Sequence, residues 1–594
     1  MSCCSPAAVR PTSARSRGIP PSRSRAPSAP TDSCTSPPHW RRSRMRSRCF
    51  SISPTDSRRT SVHRHPPPCP RYDPPLSVLF AIPDTIGNRV RRTLLSALAV
   101  VMTGALLAGC SGSTATGSAE GATDELGIAV IGPLTTYDPI LSDSGVAPWM
   151  LQPVYDQLIR YTVDGGFEPN LATSWERPSD LEFVMTLREG VTFSDGTPFN
   201  AEAVKENLDR VATAAGPDAS LFSKVASVTV VDDSTVSLAL SSPDPSLELT
   251  LSKNLGMMAS PAAIDGGTLA TAPVGTGPYT LDAADSLTGD HWTFVRNPDY
   301  WGGADAFPYD ELRFKKYADA NAVLNAVRAG EVQIAYGAAD TADAAKSAGL
   351  NVITAETNTV GIVLSDRDGT MLPALGDVRV RQALNFAIDR EAILNTVALG
   401  YGTVTDQWFG PQTAGYDEAL EGTYTYDPDR ARKLLAEAGY PNGFEMAITI
   451  PPIHTALIQA IQGYFAQVGV TVTINDSQAN FFPDVQKGVT PAYTLQNAQL
   501  DLFSLAPNIL FPGGLQNPFK SESTEISDLY AQIATATPED AAEKWQKING
   551  ILTEEAWFVP IYNGYTIAYA DPRVNVEIWP GMSTPWIYSF APTS

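Results

Sequence analysis

The sequence predicts an α/β fold with at least two lobes, and three observations carry that reading. A strand–helix–strand pattern runs from Phe444 to Ile474, the layout of a βαβ unit. Strand alternation and a hairpin pattern fill residues 181–240, far from that unit. The chain has 594 residues, and single cores stop growing at roughly 250–300 residues.

The elements follow in order. Residues 1–89 are rich in Arg, Pro and Ser and poor in aliphatic side chains. Such a stretch buries too little apolar surface to offset chain entropy, so it reads as disordered or as a misassigned leader. Residues 90–109 have the layout of a secretory signal: Val90-Arg91-Arg92-Thr93, then an apolar run from Leu94 to Ala108. That placement predicts a true translation start at or near Val90, which N-terminal sequencing of the unprocessed precursor would decide. The run is shorter than the ~20 residues of a membrane span. It ends Leu107-Ala108-Gly109-Cys110, which resembles the bacterial lipobox and predicts acylation of Cys110. Residues 110–124, rich in Gly, Ser, Ala and Thr, read as a flexible tether.

In the main part, Leu181, Phe183, Met185 and Leu187 share one strand face, and Val191 and Phe193 continue the alternation. Ser194-Asp195-Gly196-Thr197-Pro198 turns the chain, and Asn200 caps a helix with the stripe Val204, Leu208 and Val211. Val228 and Val230 face Val236, Leu238 and Leu240 across Asp232-Asp233-Ser234, a hairpin. Asp377 caps a helix striped by Val380, Ala383, Leu384, Ala387 and Ile388 that ends near Gly400. Asp427-Pro428 opens another, which Gly439 and Pro441 close. Within the βαβ unit, Phe444 to Ile450 alternates, Leu457 to Val468 carries a helical stripe, and Val470, Val472 and Ile474 form the second strand. Strand formers return from Phe558 to Tyr569.

Charge and cysteine usage narrow the function classes. Residues 1–109 hold 17 Arg, no Lys and 4 Asp, a net +13, which leaves −35 of the chain's −22 for residues 110–594. So acidic a body does not suit nucleic acid, which needs a basic surface. All six cysteines lie at or before position 110, so the rest has no disulfide framework, cysteine metal cluster or thiol nucleophile. His291 and His454 are the only histidines after Cys110, a poor basis for a metal site. G-x-S-x-G, H-E-x-x-H and the P-loop pattern are all missing. Gly275-Thr276-Gly277-Pro278 starts like a dinucleotide loop, but Pro278 makes it a tight turn. Local spacing marks no carboxylate pair for hydrolysis, which leaves a secreted hydrolase as a distant alternative.

Four segments, in order, resemble the family 5 extracellular solute-binding proteins of bacterial ABC importers, the dipeptide, oligopeptide and nickel binders. The first joins Glu168-Pro-Asn-Leu-Ala-Thr-Ser-Trp175-Glu176 to Leu187-Arg188-Glu189-Gly190-Val191-Thr192-Phe193-Ser194-Asp195-Gly196-Thr197-Pro198. The second is Gly275-Thr-Gly-Pro-Tyr279 with Arg296-Asn297-Pro298-Asp299-Tyr300-Trp301. The third runs from Asp377 to Arg390, and the fourth is Leu434-Leu435-Ala436-Glu437-Ala438-Gly439-Tyr440-Pro441. These motifs read as fold determinants; Arg381 and Asp389, eight apart, fall on the face of one helix.

The resemblance implies a two-lobed, hinged periplasmic-binding-protein-like fold with an extra subdomain in lobe I and mixed sheets flanked by helices. Its boundaries are expected at 125–355 for lobe I, with the subdomain at 166–274, 356–556 for lobe II, and 557–594 for the return to lobe I. It implies a non-catalytic lipoprotein, without cofactor or metal, on the outer face of the cytoplasmic membrane, periplasmic or cell-surface side. A peptide would bind in the interlobe cleft and pass to an ABC permease, the binder acting as a monomer; an oligosaccharide or other polar metabolite is the alternative solute.

The resemblance also nominates site residues. Asp501, in Leu495-Gln-Asn-Ala498-Gln-Leu-Asp501, stands near the place where peptide binders carry an acid for the peptide ammonium. The Trp usual in that segment is missing, so Asp501 is either that partner or a solvated loop carboxylate. Asn497 and Gln499 flank it as amide donors. Gln407 and Trp408 lie in a loop that faces the cleft in the family, where Trp408 either stacks on the solute or packs in the core. Tyr137 belongs to a cleft-edge segment.

Overall fold

The computed structural model describes residues 123–593 except 133, 143, 144, 146 and 215. The leader, the signal segment, Cys110 and nearly all of the tether lie outside the described residues. Within them, one sheet of eleven strands runs through both lobes. Its centre is a pair of long antiparallel strands, Asn351–Leu364 and Phe558–Ala570, in register from Asn351 opposite Ala570 to Val363 opposite Phe558. The register slips between Glu356 and Asn358 and again between Val360 and Gly361. The expected lobe boundary at 355/356 falls inside the first of these strands, and 556/557 falls just before the second.

On one side the sheet continues through Ile334–Tyr336, Thr123–Val130, Tyr309–Lys316, His291–Arg296 and Tyr279–Leu281. On the other it continues through Ala492–Ala498, Glu445–Ile450 and Thr471–Asp476. The last two pair in parallel and are joined by the helix Thr455–Gln467, so the βαβ unit read from the sequence is present. The core of this side gathers Ile448, Ile458, Ile461 and Phe465 against Leu384 and Ile388.

A separate four-stranded antiparallel sheet holds Ala172–Ser179, Glu182–Leu187, Thr235–Leu240 and Val225–Asp232 in that order. Phe183 and Met185 point into its core, where they meet Val204, Leu208 and Val211 of the helix Ala201–Ala214. Asn200 caps that helix, its Oδ1 accepting from the Ala203 amide at 3.0 Å. Val191 and Phe193 do not extend the strand as expected; they follow it in a turn-rich segment and are buried in the same core. The Gly275–Pro278 turn needs its glycines. A Cβ at Gly275 would stand 2.2 Å from the Val154 carbonyl oxygen, and one at Gly277 would stand 2.5 Å from its carbon.

The expected single helix from Asp377 to Gly400 is two, Val378–Phe386 and Arg390–Val397. Asp389 causes the break: extended, it accepts the Ala392 amide at 3.0 Å and caps the second helix. Arg381 and Asp389 therefore do not share a helix face. Instead buried Arg381 donates to the main-chain carbonyls of Leu375 and Glu555, and buried Arg390 to those of Tyr424 and Pro560, which pins the second helix to the return strand. Among the described residues no helix is long and apolar enough to cross a membrane.

Candidate functional site

The strand Ala492–Ala498 pairs with Asn351–Leu364 and delivers the chain to the helix Leu502–Ile509. Asp501 sits at the join, and a carboxylate at a helix N-terminus is held in place by the first free amides. Its Oδ1 accepts the Ser504 amide at 3.1 Å. The same oxygen accepts the Ser246 hydroxyl at 2.7 Å, across from the lobe I subdomain. Among the described residues the other oxygen, Oδ2, accepts no hydrogen bond.

Asp501 lines a cavity of about 260 Å³ between the lobes. Leu249, Thr250 and Lys253 line it from lobe I, Leu500, Asp501 and Ser504 from lobe II, and Met582 from the return segment. No aromatic ring is among the described residues on its wall. A second cavity of about 280 Å³ also borders Asp501 and is lined by Pro245, Ser246 and the rings of Phe503 and Trp545. The Lys224 ammonium, 3.4 Å from Asp244, lies 4.0 Å over the Phe503 ring and makes a second contact between the lobes.

Lys253 is half-buried. Burial lowers its ammonium below the ordinary lysine value, against the opposing pull of Asp501 and Asp218. Among the described residues no three or more His, Cys, Asp or Glu gather to hold a metal ion.

The model of the bacterial extracellular solute-binding proteins, family 5 middle region, matches residues 166–512, more than half of the chain and both walls of this cleft. The chain belongs to that family. This solute-binding protein is 29% identical over 461 residues to the glutathione-binding protein GsiB of Salmonella typhimurium, covering 73% of this chain and 88% of the relative. The GsiB of Escherichia coli K12 is 28% identical over 498 residues, 80% of this chain and 94% of the relative.

Solved structures share the fold. HbpA2 from Haemophilus parasuis superposes with a TM-score of 0.69 at 24% identity, covering 79% of this chain and all of that one. NikA from Brucella suis in complex with Fe(III)-EDTA gives 0.68 at 24% identity, with the same coverage. The dipeptide-binding protein of Pseudoalteromonas sp. SM9913 in complex with Met-Leu gives 0.66 at 20% identity, again with 79% and full coverage.

The remaining nominated residues of the solute-binding protein lie off the cavity that Asp501 faces. Trp408 is 1% exposed and stacks on Phe558, ring centroids 4.2 Å apart and 11° from parallel, so neither face of the indole is open to the cleft. Gln407 is fully engaged: its Nε2 donates to the Asp417 carbonyl and Glu421, and its Oε1 accepts from Asn549 and the Asp417 amide. Gln499 clamps the same loop, donating to the Trp408 carbonyl at 2.7 Å and accepting the Gly410 amide at 2.9 Å. Its nearest open space is a void of about 20 Å³ shared with Thr359 and Asn563.

Asn497 is half-buried on the strand opposite Thr359 and lines neither cavity that Asp501 borders. Tyr137 is 6% exposed and packs edge-on against Phe294 in the lobe I core, where burial pushes its hydroxyl well above the usual tyrosine range.

Sequence reading missed Ser246 and Lys253. Lys253 had a signal, because it is the one cation in the apolar stretch Leu247 to Met258.

Proposed function

We propose that this solute-binding protein captures a peptide with a free ammonium terminus in the interlobe cleft and hands it to an ABC permease. The reading is of a monomeric binder that makes and breaks no bond. The carrying observation is the half-free Asp501 carboxylate on the wall of a cavity lined from both lobes. An ammonium is a strong partner for such a carboxylate, and the low-dielectric wall strengthens the pair. The relatives' ligands support a peptide: glutathione for GsiB and Met-Leu for the Pseudoalteromonas protein.

Glutathione itself suits the cleft less well. It is net negative at neutral pH, whereas Asp218, Asp501 and Lys253 together leave the wall with one excess negative charge. A neutral or cationic peptide fits better. The sugar alternative has less support, since the described wall offers no ring on which a pyranose could stack.

The test is a calorimetric titration of the purified protein with a pool of short peptides bearing free termini and with the same pool N-acetylated. Asp501→Ala should lower affinity for the free pool by about 100-fold, the cost of removing one partner of a charge-assisted bond, and leave the acetylated pool unchanged. Equal binding of both pools by the wild type would remove the ammonium reading.

We further propose that Cys110 carries the lipid anchor that holds the protein on the outer face of the cytoplasmic membrane. The motif Leu107-Ala108-Gly109-Cys110 supports it. Cys110→Ala should move the protein from the membrane fraction to the soluble fraction, and an unchanged distribution would refute the anchor.

A further inference from the structure

Lys253 follows the short helix Leu247–Leu251 and starts the tight turn Asn254–Gly256. That turn is rigid. The Gly256 carbonyl accepts the Leu158 amide at 2.8 Å, and a Cβ at Gly256 would fall 1.7 Å from the Leu251 carbonyl oxygen. The backbone under Lys253 is therefore set by its neighbours, and its side chain lines the cavity that Asp501 faces.

Among the described residues the Lys253 ammonium has no hydrogen-bond acceptor and no carboxylate within 4 Å. Lys224, the other cation described at the cleft, has one in Asp244. A half-buried ammonium without a direct partner is costly, because burial removes water and no protein group replaces it. The cavity wall that it joins mixes apolar Leu221, Leu249, Leu255 and Met582 with polar Thr250, Ser504 and Asn508.

Of the three ionic side chains on the cavity wall, Asp218 and Lys253 come from lobe I and Asp501 from lobe II. Lys253 and Asp501 have opposite signs and feel each other without making a direct ion pair, so a solute placed between them can contact both.

We propose that Lys253 is the counter-ion for a carboxylate of the solute, so that with Asp501 on the facing lobe the cleft selects zwitterions. The assignment rests on the peptide reading above and adds a second anchor to it. It also explains how solute favours closure: a molecule with one charge of each sign satisfies both lobes only when they are together, whereas a singly charged one satisfies a single lobe. The class it names is a short peptide, or another amino-acid-like molecule, whose ammonium and carboxylate are both unmodified.

The experiment titrates the purified full-length protein with three pools of short peptides: free termini, C-terminally amidated, and N-acetylated. The wild type should lose roughly tenfold to a hundredfold in affinity on amidation, the range for removing one partner of a charge-assisted bond. Lys253→Met should bind the free pool no better than the amidated one, and an unchanged circular dichroism spectrum reports that it folds. Lys253→Arg should keep the preference for the free carboxylate. If Lys253→Met still prefers the free pool by the wild-type ratio, the assignment is wrong and the peptide reading stands. Should no pool bind the wild type, the peptide reading fails and takes the assignment with it.

Discussion

The loop Thr405 to Pro411 and the segment Leu495 to Asp501 look alike as candidate cleft walls, yet the fold uses them differently. Trp408 lies against Phe558 in the core, and Gln407 spends its whole amide on Asn549, Asp417 and Glu421. Asp501 keeps one oxygen free and lines the space between the lobes. The difference lies in what surrounds each residue. A loop enclosed by the helix Pro538–Glu554 and the return strand is enlisted into packing, whereas a residue capping a helix at a lobe edge keeps an exposed side. An aromatic or amide side chain in a loop is thus weak evidence of a binding contact until its packing partners are known.

Substitution should split the two regions cleanly. Trp408→Ala should destabilise the protein by about 3–5 kcal/mol, the cost of deleting a large buried ring, read as a lower urea midpoint. If it instead weakened peptide binding at unchanged stability, the core assignment would fall.

His454 offers a second framework test in lobe II. Its Nδ1 meets the Thr494 hydroxyl at 2.8 Å, and burial lowers its pKa from 6.5 to about 4. The folded state thus favours neutral imidazole. The stability this confers is complete above the unfolded value of 6.5 and is lost as pH falls toward 4, in all about 3 kcal/mol. Asp156, fully buried in lobe I and raised by burial to about 6, acts in the opposite sense. Its penalty is present above pH 6 and relieved as pH falls. The readout is therefore the difference between wild type and His454→Gln in urea midpoints from pH 7.5 to 4. That difference should shrink or reverse on acidification; a constant gap would refute it. Smallest of all, Asp501→Ala should cost about 1 kcal/mol of stability, the value of one helix cap, despite its large effect on binding.

Much of the fold was legible in local pattern. Alternation at Phe183 and Met185, the caps Asn200, Asp377 and Asp427, and the βαβ stripe all have short-range causes that a sequence displays. The break at Asp389 was hidden, because the apolar stripe continues across it and only the side-chain cap interrupts the helix. The cleft was harder still. Lys253, Asp501 and Met582 come from three distant parts of the chain, and what makes them a site is their meeting across two lobes. Gln407 misleads for the same reason: its partner Asn549 lies 142 positions away.

The shared sheet has a consequence for dissecting this protein. Its two central strands, Asn351–Leu364 and Phe558–Ala570, are 14 and 13 residues long and serve both lobes. Any fragment that isolates one lobe must strip one of these strands of its neighbour and turn it into a long unpaired edge. Such edges recruit other chains, so single-lobe fragments should aggregate rather than fold. Evolution faces the same constraint. The lobes cannot be shuffled as independent cassettes, and new specificities must arise by rewriting the cleft walls in place.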